Sequence, residues 1–270
     1  AFCVVMLAGI LLLTLGTYRF SLIWVPARAA GYAALALVVS SSVSETVHLF
    51  GQLPTIFSLG LFLNGLPWVY RWIVEGRWGN FLAAVTFGAA TTAAHHVTTL
   101  FGAVLFIIPM ALQALRTAAE MARRPTRASS GSLTLDTLRQ LFSRRGRIGH
   151  SRLALRPFLW PFLRGMLLAV SLVAAMVLTI LPYWHWSVTD PITQVPIPHG
   201  SRESFISRPD LGLVFFLMPW GASLIALPYA LYKGATSRLW PLAGSVALCF
   251  VLGTGGTTPL PRLLLRGAFD

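Results

Sequence analysis

Apolar residues come in long blocks along this chain, and polar residues gather in the short stretches between them. The first block runs from about Phe2 to Thr17 with Arg19 after it, and the second from Ala27 to Val43 after Pro26. A polar stretch, residues 44–54, leads to a third block from about Thr55 to Ile73. Asn64, Gly65 and Pro67 are its expected kink points, and Arg71, Glu75 and Arg77 mark its end. The block from Asn80 to Leu115 is the longest, at 36 residues, and its one polar interruption, His95-His96, falls at the midpoint. A bilayer core takes about 20 helical residues to cross, so a straight helix of this length would overshoot it at ~1.5 Å per residue. Two short helices meeting at the histidines fit better. Further blocks run from Phe158 to Leu181, from Leu211 to Tyr232 and from Leu239 to Gly253, and no convincing internal repeat is visible. The pattern predicts an all-α polytopic integral membrane protein, one transmembrane domain over 1–270, with about eight membrane segments, some short or broken.

Composition supports that class. Hydrophobic residues make up 56% of the chain and charged residues 11%, where a soluble domain carries roughly 25% charged residues. Mean hydropathy is +0.71. The apolar blocks recur along the whole length, which excludes a signal peptide on a soluble body. A net charge of +13 would suit nucleic acid if it lay on a folded basic face, but ten arginines fall between Arg116 and Arg156, against Glu120 and Asp136. Beside membrane segments such a block is a cytoplasmic loop, here 116–157, that obeys the positive-inside rule and meets lipid headgroups. Membrane lipid is therefore the expected partner, and nucleic acid is not. Within the loop, Leu135, Leu138, Leu141 and Phe142 share one helical face after Thr134, which predicts a short helix lying on the headgroups. Cys3 and Cys249 sit in apolar runs, which predicts buried thiols. The chain begins without methionine inside an apolar run and reads as the interior of a longer protein.

Topology decides which polar residues can meet. With 116–157 in the cytoplasm, the loop 182–210 is external, Lys233 and Arg238 are internal and 254–270 is external. A hairpin turning at His95-His96 then puts Arg19, Arg28, Arg71 and Arg77 inside. Glu45, His48, Gln52 and the histidine pair fall outside, with the Gly/Thr/Pro tail. A single span over 80–115 would break the positive-inside rule, so the hairpin is the preferred expectation.

Each external polar group has two readings. Glu45, His48 and Gln52 are spaced to share one helical face, where an acid and an imidazole can position a hydroxyl or a cation; the same stretch also serves as a polar loop between two helices. His95 and His96, flanked by Thr91, Thr92, Thr98 and Thr99, are either functional groups facing a cavity or the hinge of two half-helices. Adjacent histidines point in different directions, so the pair alone is a weak metal signal. Tyr183, Trp184 and Trp186 suit an interfacial aromatic belt; His199 and Glu203 are spaced for one helical face, with Pro196 and Pro198 against a regular helix start. No P-loop, Rossmann glycine pattern or Ser-His-Asp order stands in a suitable context. The tail Gly253-Thr254-Gly255-Gly256-Thr257-Thr258-Pro259-Leu260-Pro261-Arg262 predicts a tight re-entrant turn whose free N–H groups, hydroxyls and Arg262 suit a phosphate or pyrophosphate. An ordinary helix end is the other reading.

Residues 44–54, the segment Ala94-His95-His96-Val97-Thr98 and the Gly253–Arg262 tail together resemble the bacterial membrane proteins called 6-pyruvoyl-tetrahydropterin synthase-related, a group similar in layout to the GT-C class of polytopic glycosyltransferases. Nothing resembles the soluble pterin synthase of that name. The resemblance implies transfer of a sugar from a polyprenyl-phosphate carrier on the non-cytoplasmic face of a bacterial cytoplasmic membrane. It also implies an acidic residue in the first external loop, as base or as ligand of a divalent metal ion, and that loop would lie upstream of Ala1. Glu45, His48, His95 and His96 are the catalytic candidates that remain, and Gln52, Thr257, Thr258 and Arg262 the substrate-binding ones. A transporter or lipid flippase, with the histidines and Glu45 as intramembrane relay groups, and a catalytically inactive scaffold are the alternatives.

Overall fold

A computed structural model describes residues 2–123, 156–189 and 203–264. The headgroup helix expected around 134–142, most of the basic loop 116–157, and Asp190 and His199 of the external loop lie outside the described residues. Those described are helical with short connections. In chain order they form α1 (Phe2–Ser21), α2 (Ala27–Val38), α3 (Ser41–His48), α4 (Leu53–Glu75), α5 (Trp78–Ala94), α6 (His96–Gly102) and α7 (Ile108–Arg123). Then follow α8 (Arg156–Thr189), α9 (Pro209–Gly212), α10 (Met218–Trp220), α11 (Ser223–Ala235), α12 (Trp240–Gly253) and α13 (Pro259–Leu264).

Among the described residues, four helices are long and apolar enough to cross a membrane: Cys3–Ser21, Leu53–Glu75, His96–Met121 and Leu159–Tyr183. The number rises to 6 if two bent pairs, α2 with α3 and the α9–α10 helix with α11, each count as one span. At 17 and 14 residues, α5 and α12 are shorter than the about 20 that a full crossing takes.

The centre of the bundle is α4. Phe62, Leu63, Leu66, Val69, Trp72 and Ile73 are all buried there. Asn64, Gly65 and Pro67, the expected kink points, lie within α4 without interrupting it. α1 runs alongside because glycines let the two backbones approach, the device that membrane helices use in place of a hydrophobic drive. A Cβ on Gly16 would sit 2.9 Å from the Gly60 carbonyl, and one on Gly60 would sit 2.9 Å from the Leu13 nitrogen. Asn64 fills the crossing and donates to the Leu12 and Gly60 carbonyls at 3.0 and 2.8 Å. Left unpaired in apolar surroundings, that amide would cost several kcal/mol, roughly 2–7 by transfer measures.

The chain reverses at His95, whose backbone is extended (φ −166°, ψ 99°) between α5 and α6. α5 runs antiparallel to α4: Ser58 donates to the Thr91 and His95 carbonyls, Gly65 faces Phe87, and Trp72 meets Trp78 and Phe81. The chain then descends parallel to α4, with Phe62 against Phe106 and Tyr70 bonded to Thr117. The hydroxyls of Thr92 and Thr99 lie 3.0 Å apart across the break, where seven residues of straight helix would span ~10.5 Å. The long apolar block is therefore a hairpin.

This path gives the bundle two chemically distinct ends. One carries Arg19 and Arg28 around the α1–α2 turn, Arg71 and Arg77 around the α4–α5 turn, Arg116, Arg164, and Lys233 and Arg238 around the α11–α12 turn. Contacts tie these turns together: Trp72 donates to the Arg164 carbonyl at 2.9 Å, Arg164 donates to the Ile73 and Val74 carbonyls at 3.3 Å, and Gln113 donates to the Arg238 carbonyl. Gly76, in the left-handed conformation at φ 73°, ends α4 there, and any Cβ on it would run into the Arg164 guanidinium. The opposite end gathers α3, the start of α4, the His95 break, the start of α9 and the Gly/Thr tail.

One short motif recurs although no long repeat does. Gly102, Val104, Phe106 and Pro109 are matched in spacing by Gly212, Val214, Phe216 and Pro219. Both motifs contain a widened π turn, Ala103–Ile107 and Leu213–Leu217, in which the N–H of Ile108 or Met218 reaches the carbonyl five residues back. A proline stands one position after Ile108 and after Met218. In a regular helix its ring would press on the carbonyl four residues earlier, and the extra residue in the turn relieves that clash.

Candidate functional site

The expected shared face of Glu45, His48 and Gln52 does not form. α3 stops at His48, and the Leu49 and Phe50 N–H groups both return to the Glu45 carbonyl. Gly51 takes φ 61°, and Gln52 begins a new helix with its own N–H bonded to Thr46 at 2.9 Å. The periodicity was right for a helix, but the chain turns before the third residue is reached. Glu45 points inward with Val43 and Val47 and is 5% exposed, whereas His48 is exposed. Among the described residues Glu45 Oε1 has no hydrogen-bond partner. Ser41, at the head of the same helix, donates to the Met218 carbonyl, and Phe50 stacks on Phe215, so α3 docks on the second π segment.

The histidines separate as well. His95 is half-buried with Nδ1 3.0 Å from the Thr98 hydroxyl. His96 is exposed, its ring 6.0 Å from that of His95. Beside His95 lies a cavity of about 310 Å³ lined by Gln52, Thr55, Leu59, Phe62, His95, Val97, Thr98, Phe101, Gly102, Leu105 and Phe106. Gln52, Thr55, His95 and Thr98 supply its polar atoms, and the Thr55 hydroxyl donates to Gln52 Oε1 at 3.2 Å. Aromatic and aliphatic side chains from α4, α6 and the first π turn make the remaining wall. Glu45, His48, His96, Thr257 and Thr258 do not line it.

The Gly/Thr/Pro tail is a tight turn, with Gly255 at φ 55°, but several of its polar groups are engaged. Gly256 N–H donates to the Glu203 carbonyl at 3.0 Å and Thr257 N–H to the Thr254 carbonyl at 3.1 Å. The Thr257 hydroxyl accepts from the Phe205 N–H at 2.9 Å, and the Thr254 and Thr258 hydroxyls lie 2.7 Å apart. The turn therefore clamps the segment 203–205, in place of the open row of donors expected for a phosphate. Arg262 falls within α13, and its side chain lies outside the described residues. No group of three or more His, Cys, Asp or Glu suited to a metal ion comes together among the described residues.

The sequence pattern alone marks Arg19 and Arg71 as topology signals and Asn64 as a kink point. The structure brings them together. Arg19 donates to the Asn64 Oδ1 at 3.2 Å, and both guanidiniums lie over the Trp68 ring, at 5.6 and 5.4 Å from its centre. The spacing Asn64, Trp68, Arg71 was the available signal, because it places all three on one helical face. No protein-family model matches the chain, and comparison with the curated proteins and with the solved structures gives no match.

Proposed function

We propose that this chain is the membrane domain of a GT-C-like glycosyltransferase that takes a polyprenyl-phosphate-linked sugar at the face opposite the basic end. The observation that carries the reading is the cavity beside His95. Its apolar wall of Leu59, Phe62, Phe101, Leu105 and Phe106 suits an isoprenoid chain, and its polar group of Gln52, Thr55, His95 and Thr98 suits the phosphate or sugar hydroxyls at the chain's head. In this reading the basic end faces the cytoplasm of a bacterial cell, and the bent and short helices bring the membrane segments to about eight. Catalysis then rests on movement of α3 that exposes Glu45.

The test is photolabelling of the purified protein with a photoreactive polyprenyl phosphate. Saturable labelling within 97–106 is expected, and Leu105→Trp, which fills the cavity, should abolish it. Labelling that Leu105→Trp leaves unchanged would overturn the reading. A transporter or flippase is the second reading, favoured by the helix breaks at His95 and Gly221 and by the two π turns, since discontinuous helices line the sites of many transporters. Sugar transfer to a soluble acceptor, against movement of labelled lipid across a proteoliposome, separates the two.

A further inference from the structure

We infer that Arg19 and Arg71 form a binding site for a phosphodiester at the basic end of the bundle, separate from the cavity beside His95. A recess of about 260 Å³ opens there, lined by Arg19, Leu22, Ile23, Pro67, Tyr70, Arg71 and Glu75. Its two guanidiniums are positioned by the fold. Arg19 is held by Asn64, which is 1% exposed and is itself locked by two carbonyls across the α1–α4 crossing. Trp68 supplies a flat shelf against which both cations rest.

Neither arginine has a carboxylate partner among the described residues. Every other ion pair described at this end involves Glu75 or Glu120: Glu75 meets Arg77 at 3.5 Å, and Glu120 meets Arg116 at 3.0 Å and Arg238 at 3.4 Å. Two cations sharing one aromatic ring repel each other, and an anion between them converts that repulsion into two attractions. Guanidinium forks match phosphate oxygens in pairs.

The lining also narrows the ligand. Leu22, Ile23 and Pro67 offer apolar surface next to the arginines, which suits the glycerol and first methylenes of a lipid. The Glu75 carboxylate on the same lining disfavours a multiply charged anion, so a phosphodiester with a single charge fits better than a phosphate monoester or pyrophosphate. A lipid headgroup and a soluble glycerophosphodiester share this chemistry.

The experiment is native mass spectrometry of the purified full chain titrated with phosphatidylglycerol, with glycerophosphoglycerol as the soluble competitor. One lipid is expected to bind tightly to the wild type. Arg71→Ala, an exposed position that leaves the Asn64 crossing intact, should weaken that binding at least about tenfold through loss of charge-assisted hydrogen bonds. Arg28→Ala removes an equal charge from the same end, at an exposed side chain outside the recess lining, and should leave the affinity unchanged. Equal weakening by both variants would overturn the site, since it would mean general attraction to a basic surface. Displacement of the lipid by millimolar glycerophosphoglycerol would retain the phosphodiester site and assign it a soluble ligand; no displacement would assign the lipid.

Discussion

The two segments that carry the recurring motif begin alike and end differently. Each enters from the end opposite the basic residues, passes a glycine against which an aromatic ring packs, and widens into a π turn before a proline. Phe62 lies against Gly102 and Phe205 against Gly212. After Pro109 the first segment continues as helix to Arg123. After Pro219 the second stops within two residues, and the chain bends by 55° into α11. The difference lies at one aligned position, Ala111 in the first segment and Gly221 in the second. Gly221 adopts φ 47°, ψ −134°, a conformation that side chains with a Cβ rarely enter. A π turn before a proline is thus common to both segments, but only the segment with the glycine breaks.

The largest effect expected from testing this comparison is all-or-none. If both motif segments enter from the same membrane face, cysteines placed at Val97 and Ser207 should react with an impermeant thiol reagent from one side only. A cysteine at Ser237 should react only from the other side. Thr46→Cys should join the first pair, and under the positive-inside rule that side is external. Reaction of Val97→Cys and Ser207→Cys from opposite sides would make the two segments inverted and dissolve the comparison.

Next in size is Gly221→Ala. The alanine would be strained in that backbone conformation, and its Cβ would lie 2.7 Å from the Ser41 hydroxyl oxygen. Thermal unfolding in detergent should show a loss of about 2–3 kcal/mol. Ala111→Gly, at the matching position of the unbroken helix, should cost only about 1 kcal/mol. Equal losses would mean that the break is set elsewhere.

The smallest effect concerns the carbonyl left over at the break. Ser41 donates to Met218 there, and no matching side-chain bond to Ile108 occurs among those described. Ser41→Ala should lower stability by about 1 kcal/mol, and amide exchange should quicken around Gly221 but not around Ala111. Uniform exchange in both segments would show that α3 contributes nothing to the bend.

Much of this architecture is legible in the order of residues. Apolar block lengths mark the long helices, and a run too long for one crossing with His95-His96 at its middle marks the reversal. The distribution of arginines along the chain already separates the two ends. What failed was the use of spacing across a turn: Glu45, His48 and Gln52 have helical separations, but Gly51 in the left-handed region places Gln52 on another helix. The tail's glycines and threonines do make a tight turn, but the Gly256 and Thr257 N–H groups bond the Glu203 and Thr254 carbonyls and the Thr257 hydroxyl accepts from Phe205. Local sequence cannot show which distant segment will occupy a donor.

The sequence by itself determined the class of the molecule, its helical blocks, the fold-back at the histidines and the basic character of one end. These depend on composition and on distances along the chain, which fix how long and how apolar each helix can be. Only the tertiary structure decided that Glu45 turns inward, that Gln52 and His95 share a cavity, and that Arg19 and Arg71 share one tryptophan. Those pairings depend on where the glycines of α1 and α4 let two backbones approach and on which buried amide fills the crossing. Close packing between segments far apart in sequence carries that information.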